Sequence, residues 1–295
     1  MCGAARATCL VCLCALLPSI LAGCPARPLT LATIFLRPTR DMRGTPADYG
    51  VDYDEVFVPI SERRRVCIWH AKARDPKAVV VIIPGSDSNK SRYLISLPIF
   101  IPNGYDVILM DYEGFGDSTG GPLRLERLTD DAFAVVEFAQ KRHKRIVLFG
   151  VSTGAPSAVR IAAELDVAAV ILEAPLVLKD LAELWLRDRR IVIPPLWQIA
   201  NLWIHPQVPD SFDTLRYIEL VDEPKLIMHS VEDELVPHAS GLRTYQAAPG
   251  PKALFKMRGG HGRMIELEPQ LYADTIISWL SNLHSPAAPD APAGR

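Results

Sequence analysis

Residues Arg145 to Gly154 read R-I-V-L-F-G-V-S-T-G. Ile146, Val147, Leu148 and Phe149 form a short apolar run of strand formers, and Gly150-Val151-Ser152-Thr153-Gly154 follows without a spacer. Ala155 to Leu165 then reads as a helix. Strand, sharp turn and helix in that order force the residue at the turn into a strained backbone conformation, which lifts the Ser152 hydroxyl clear. Glycine two residues to either side removes the Cβ atoms that would clash where strand and helix crowd together.

Working outward, further apolar runs alternate with helical stretches. Ala78 to Ile83, A-V-V-V-I-I, has the unbroken apolar character of a strand covered on both faces. It runs into the loop Pro84 to Asn89. Arg92 to Ile101 is expected to be helical, Tyr105 to Met110 a strand, Arg127 to Arg142 a helix, and Val167 to Glu173 another strand. Upstream, Glu55 to Ile60 and Arg64 to His70 read as an antiparallel pair. Downstream, Lys225 to His229 and Ala253 to Met257 are strands, with helices at His238 to Ala247 and Pro269 to Leu283. Strands alternating with helices at this spacing predict an α/β fold, a doubly wound and mostly parallel sheet wrapped on both sides.

The alternation breaks from Ala174 to about Tyr217, which holds Trp185, Trp197 and Trp203. The expectation there is a lid inserted over the carboxyl edge of the sheet, its aromatic and aliphatic residues lining an acyl pocket; ordinary helices packed on the core are the alternative. Residues 24–50 are a tether or a short packed helix, 51–284 form the main domain, and the Pro- and Ala-rich residues 285–295 are a disordered tail.

The chain has 295 residues, 49% hydrophobic and 22% charged, which supplies ample core material. A net charge of -2 gives no basic excess, so nucleic acid is not an expected partner. No short spacing of Cys or His suggests a metal site. Five of the six cysteines, Cys2, Cys9, Cys12, Cys14 and Cys24, lie in the first 24 residues. That leaves Cys67 in the body as a small buried hydrophobe, with no internal disulfide available.

Those first residues carry a positive charge at Arg6 and an apolar run from Cys9 to Ile20, shorter than the roughly 20 residues that span a bilayer. They read as a signal peptide over residues 1–23. Leu21-Ala22-Gly23-Cys24 resembles the lipobox of bacterial lipoproteins. The resemblance implies acylation of Cys24 and an exported protein, lipid-anchored to a membrane of the bacterial cell envelope, outer membrane or periplasmic side, with inner against outer membrane left open; an ordinary signal peptide or an uncleaved anchor is the alternative.

A serine hydroxyl needs a base to take its proton, and the base needs an acid behind it. Two loops at strand ends offer these. His229-Ser230-Val231-Glu232-Asp233-Glu234-Leu235-Val236-Pro237 holds several acids, and Arg258-Gly259-Gly260-His261-Gly262 sets a histidine among glycines. From about Val56 to Leu283 the chain resembles the α/β-hydrolase superfamily, nearest to its serine hydrolases of the esterase, lipase and acyl-thioesterase type, often grouped with serine aminopeptidases. Four blocks carry the resemblance: Pro84 to Asn89, Asp111 to Gly120 (D-Y-E-G-F-G-D-S-T-G), Gly150 to Gly154, and Asp233 to Pro237 with His261.

The resemblance implies Ser152 as nucleophile, Asp233 as acid and His261 as base, with Glu232 and Glu234 facing solvent. It implies backbone N–H donors to an oxyanion from Thr153 and from Ser86, with Asp87 an alternative for the second. Asp111 to Gly120 is expected to be structural. Pro84 stands where the family usually has histidine, and Ser230 where glycine is common. The implied activity is cleavage of a carboxylic ester or thioester in a small or lipid-like acyl substrate, without cofactor or metal. Alternatives are a peptidase of the aminopeptidase type, which needs acids such as Glu173, Asp180 and Glu183 to hold an amine, or a non-catalytic lipid-binding or scaffold member.

Overall fold

The computed structural model describes residues 31–181 and 208–283. Its centre is an eight-stranded sheet: β1 (Tyr53–Ser61), β2 (Arg64–Ala71), β3 (Ala78–Ile83), β4 (Tyr105–Met110), β5 (Ile146–Val151), β6 (Ala169–Glu173), β7 (Lys225–Ser230) and β8 (Lys252–Met257). The spatial order is β1-β2-β4-β3-β5-β6-β7-β8. β2 pairs antiparallel with β1 and β4, and every other pairing is parallel. This is the mostly parallel sheet that the alternation predicts, in the α/β-hydrolase arrangement that the resemblance implies. The outer edge is blunted by Pro59, which cannot donate to a ladder, and by a register shift between Pro59 and Ser61.

Every residue of β3, β4 and β5 is buried, as their unbroken apolar runs require. Because side chains alternate across a strand, the same run feeds two cores. Val79, Val81 and Ile83 of β3 face one layer, formed by the helices α1 (Leu125–Gln140) and α2 (Ala155–Glu164). Val80 and Ile82 face the other, with Trp69, Phe100 and Phe149 and the helix α4 (Pro269–Asn282). The helix α3 (His238–Ala247) lies between β7 and β8 in the chain. In α1 the buried residues Leu125, Leu128, Ala132, Val135, Val136 and Ala139 form one helical stripe. Each fully buried Val, Ile or Leu contributes about 1.5–3 kcal/mol relative to exposure.

One stretch differs from expectation, and at two others the structure bears on alternatives that the sequence leaves open. The segment after β3 is a chain of short turns, a 3-10 helix at Lys90–Ser96, one α turn at Leu97–Phe100 and a 3-10 turn at Ile101–Asn103. Pro98 and Pro102 supply no backbone N–H to a continuous helix. Near the amino end, Leu31–Phe35 is a short helix with Leu31, Ala32 and Leu36 buried in the first core, so the chain is already part of the body there. Arg37 N–H then donates to Ser86 O at 2.8 Å, fixing the loop after β3.

The third stretch is the region between β6 and β7. Its described ends belong to the core rather than to a cover: Leu176, Val177, Leu178, Val208, Phe212 and Ile218 are buried. The ends are stapled to each other by Thr214 Oγ1 donating to Leu176 O at 2.5 Å and by Lys179 and Asp213 at 2.7 Å. The inserted lid region is therefore narrower than 174–217. Residues 182–207, with the three tryptophans expected to line a pocket, lie outside the described residues, as do 1–30 with Cys24 and the tail from 284. Among the described residues no helix is long and apolar enough to cross a membrane.

Candidate active site

Ser152 follows β5 directly at φ +52°, the left-handed region that side chains rarely adopt. Such a residue costs about 1–3 kcal/mol and persists only where its surroundings enforce it. They do so here. A Cβ on Gly150 would lie 2.7 Å from the Ala158 Cβ and 2.9 Å from the Ala155 Cα, and one on Gly154 would run into the carbonyls of Ile83 and Pro84. Glycine at both positions lets α2 seat against β5 and β3, and the serine is left at the apex.

β7 and β8 are parallel neighbours, so their following loops leave the same sheet edge as Ser152. The His261 Nε2 lies 3.0 Å from Ser152 Oγ, and its Nδ1 lies 2.7 Å from Asp233 Oδ2. Asp233 Oδ1 accepts from the N–H of Leu235 at 2.9 Å and of Val236 at 2.8 Å. Three side chains from distant parts of the sequence thus form one hydrogen-bonded line.

The electrostatics follow from this packing. Burial is the strongest influence on Asp233 and opposes its charge. Hydrogen bonding to His229 and His261, the positive charge of His261 and the backbone donors outweigh burial and hold the carboxyl well below its usual range. For His261, burial likewise opposes the charged form. The bond to Asp233 and the charges of Asp233, Glu173 and Asp87 prevail, so the imidazole titrates above its ordinary value.

Sequence reasoning missed several supporting groups. His229, the fifth residue of β7, is fully buried, donates from Nε2 to Val236 O at 3.0 Å and sits 3.4 Å from Asp233 Oδ2. Its place at the end of a strand beside the acid loop was the available signal. Glu232 and Glu234 are exposed as expected, yet both face the histidine loop as well as solvent. Glu232 accepts from Gly259 N–H at 2.9 Å and Arg258 Nε at 3.1 Å, and Glu234 accepts from His261 N–H at 3.2 Å. Ser230, in place of the more usual glycine, donates to Gly259 O and accepts from Glu232 N–H. Only the pairing of β7 with β8 makes these contacts possible.

The loop after β3 flanks Ser152 on the other side: a Cβ on Gly85 would lie 3.6 Å from that of Ser152. Gly85 N–H is engaged by the Tyr93 hydroxyl at 2.7 Å, and Ser86 and the exposed Asp87 follow it in the loop. Thr153, next to Ser152, is buried. Beside this edge a cavity of about 210 Å³ is lined by Tyr93, Val151, Glu173, Gly262, Ile265 and Tyr272 among others. Glu173 is the last residue of β6, the strand end at which the sequence reading places it; it accepts from Tyr272 OH at 2.5 Å, and burial raises its pKa.

The block Asp111 to Gly120 is structural. The ammonium of Lys90, fully buried, lies 2.6 Å from both Asp111 Oδ2 and Asp117 Oδ2 and 4.5 Å from the centre of the Trp69 ring. Asp111 also accepts the N–H groups of Lys90 and Asp117, tying the loop after β3 to the loop after β4.

Comparison with known proteins agrees with this geometry. The family model described as serine aminopeptidase, S33, matches residues 74–213. The human protein ABHD12B is 30% identical over 206 residues, covering 62% of this chain and 53% of its own. Mouse alpha/beta hydrolase domain-containing protein 17C is 26% identical over 181 residues, covering 60% and 51%. The chain spans about half the length of these curated relatives. Among solved structures, the esterase PF2001 of Pyrococcus furiosus superposes with a TM-score of 0.69 at 19% identity, covering 84% of this chain and 98% of that one. A fungal α/β hydrolase, GrgF of Penicillium, gives 0.63 at 18% identity over 78% of this chain and 98% of its own. The strand order, the strained serine between strand and helix, and these likenesses together show an α/β-hydrolase fold, and the chain is similar to hydrolases and esterases that share it.

Proposed function

We propose that the protein is a membrane-tethered serine hydrolase that cleaves carboxylic esters or thioesters through an acyl-enzyme. The observation that carries this reading is the line from Ser152 Oγ through His261 to Asp233, at 3.0 and 2.7 Å. His261 Nε2 takes the Ser152 proton as Oγ attacks the acyl carbon. The oxyanion is held by the backbone N–H groups of Thr153 and Ser86. The protonated His261, stabilised by Asp233, passes its proton to the leaving alcohol or thiol. Water, deprotonated by the same imidazole, then releases the acid and restores the serine.

An ester or thioester is favoured over a peptide substrate because a carboxylate that holds an ammonium must be free and charged. Glu173 accepts from Tyr272, and its burial favours the neutral form. The side chain of Asp180 and all of Glu183 lie outside the described residues. For the tether, Leu21-Ala22-Gly23-Cys24 after an apolar run supports acylation at Cys24, with more than one chain for a stable hold.

Labelling with a fluorophosphonate tests the first part. Wild-type protein is expected to label and Ser152→Ala not to, and folded wild type that resists labelling refutes the reading. Graded p-nitrophenyl esters and acyl thioesters, set against aminoacyl arylamides, separate esterase from peptidase. Intact mass of membrane-extracted protein should show Cys24 acylated at the new amino terminus; a soluble, unmodified product refutes the tether.

A further inference from the structure

At the other end of the sheet from Ser152, three metal-ligating side chains meet. Asp106 is the second residue of β4, His70 the seventh of β2, and His143 lies just past α1. Because β4, β3 and β5 are parallel, this cluster and Ser152 lie at opposite ends of the strands, about 20 Å apart along them. The three come from separate elements, so no short Cys or His spacing announces them in the sequence.

Asp106 Oδ2 lies 2.8 Å from His70 Nε2 and 4.0 Å from His143 Nδ1, and all three atoms lie within 4.8 Å of one another. A point equidistant from them falls within about 2.4 Å of each, and a contraction of a few tenths of an ångström reaches the 2.0–2.1 Å typical of zinc to nitrogen and oxygen. The carboxylate is pre-aimed, since its other oxygen accepts from Ala73 N–H at 2.8 Å.

The cluster is incomplete as a hydrogen-bonded unit. The 4.0 Å approach of His143 exceeds hydrogen-bond length, and its buried Nε2 has no partner among the described residues. The imidazoles meet edge to face with centroids 5.0 Å apart. Asp106 is 5% exposed, and among the described residues its carboxylate touches imidazole and a backbone N–H, while the ammonium of Lys72, whose charge also feels Asp106, is paired with Asp54 at 2.8 Å. An open cleft beside His143 is lined also by Gln140, Lys144 and Asp166.

We propose that His70 Nε2, Asp106 Oδ2 and His143 Nδ1 form a binding site for a divalent transition-metal ion of the zinc class, remote from the serine. Two imidazoles and one carboxylate suit zinc, cobalt or iron(II), whereas calcium and magnesium require oxygen ligands. The bound ion ties the end of β2 to the start of β4 and the turn before β5. Its role is structural, and it takes no part in the chemistry at Ser152.

The test uses the full chain, purified without a polyhistidine tag and stripped of metal, titrated with Co²⁺ and then with Zn²⁺ against a chromophoric chelator. The expected result is one equivalent bound with micromolar or tighter affinity, a visible cobalt spectrum of low coordination number, and a melting temperature raised by several degrees at saturation. His143→Ala and Asp106→Asn should each weaken binding by at least about tenfold. His261→Ala should leave it unchanged, which excludes capture by the serine site. Among the described residues His143 makes no hydrogen bond through its ring, so His143→Ala is expected to fold, with circular dichroism as the check, and it decides the matter if Asp106→Asn does not fold. Wild type that binds no metal at micromolar concentration, or His143→Ala that binds as tightly as wild type, overturns the proposal.

Discussion

Replacing Asp233 by asparagine isolates what the carboxylate does, because the local structure dictates how the amide must sit. The oxygen that accepts from Leu235 and Val236 N–H has to remain an acceptor, since rotating the amide would set two donors against two donors. The NH2 then occupies the place of Oδ2, 2.7 Å from His261 Nδ1 and 3.4 Å from His229 Nε2. An NH2 there cannot accept from Nδ1. The imidazole moves its proton to Nε2, which now donates to Ser152 Oγ instead of accepting from it, and the serine loses its base. The known consequence of this substitution in a serine protease is a loss of about 10⁴ in kcat, equivalent to roughly 5 kcal/mol in the barrier, and the same order is expected here. Stability should fall by much less, about 1–3 kcal/mol, because both backbone bonds survive and one charge-assisted bond is lost. The second-order rate of fluorophosphonate labelling measures the effect without knowledge of the natural substrate, and hydrolysis of a p-nitrophenyl ester measures kcat. A loss under tenfold in protein with native circular dichroism would refute the assignment of Asp233 behind His261.

Three further outcomes are expected. Labelling and hydrolysis should rise with pH through a midpoint above the ordinary histidine value, since His261 must be neutral to act and its pKa is raised; a midpoint at or below that value contradicts the geometry. The same shifts enter stability with opposite signs: the contribution of His261 is full below its unfolded pKa and is lost as pH rises through the folded one, whereas that of Asp233 is lost as pH falls through its depressed folded value. Asp111→Ala should cost about 3–5 kcal/mol, or roughly 10 °C in melting temperature, because the buried Lys90 keeps only the half-exposed Asp117 as counter-charge. A shift under two degrees by calorimetry would show that water reaches the ammonium. Gly150→Ala forces a methyl to 2.7 Å from Ala158 and should destabilise by at least about 1–3 kcal/mol, with labelling impaired as α2 shifts; chemical denaturation checks the first part and the labelling rate the second.

What was legible in the sequence was what depends on neighbours along the chain. The strand Ile146 to Val151 and the turn at Ser152 are local facts, and so are the apolar runs of β3 and β4, whose limits agree with the structure to the residue. The order of serine, acid and histidine also survives translation into space, because parallel strands bring their following loops to one edge. Contacts between loops were not legible. Glu232 reads as a solvent-facing acid until β8 is known to lie beside β7, which brings Gly259 within reach. Glu173 reads as no more than a strand end until Tyr272, 99 positions later, is found against it. The short helix Leu31–Phe35 shows only a brief apolar period, too weak to tell a tether from a packed element, and its burial comes entirely from the core it meets.

Cys67 sits in the middle of β2 with no exposed surface, and burial pushes its thiol up to about 12. At neutral pH essentially none of it is thiolate, the form that oxidants, maleimides and disulfide partners attack. The folded body is therefore chemically silent towards thiol reagents, and its stability is indifferent to whether its surroundings are oxidising or reducing. Any alkylation or acylation detected on cysteine in the native protein reports on the segment before Leu31, so mass tagging without denaturation reads the fate of that segment directly.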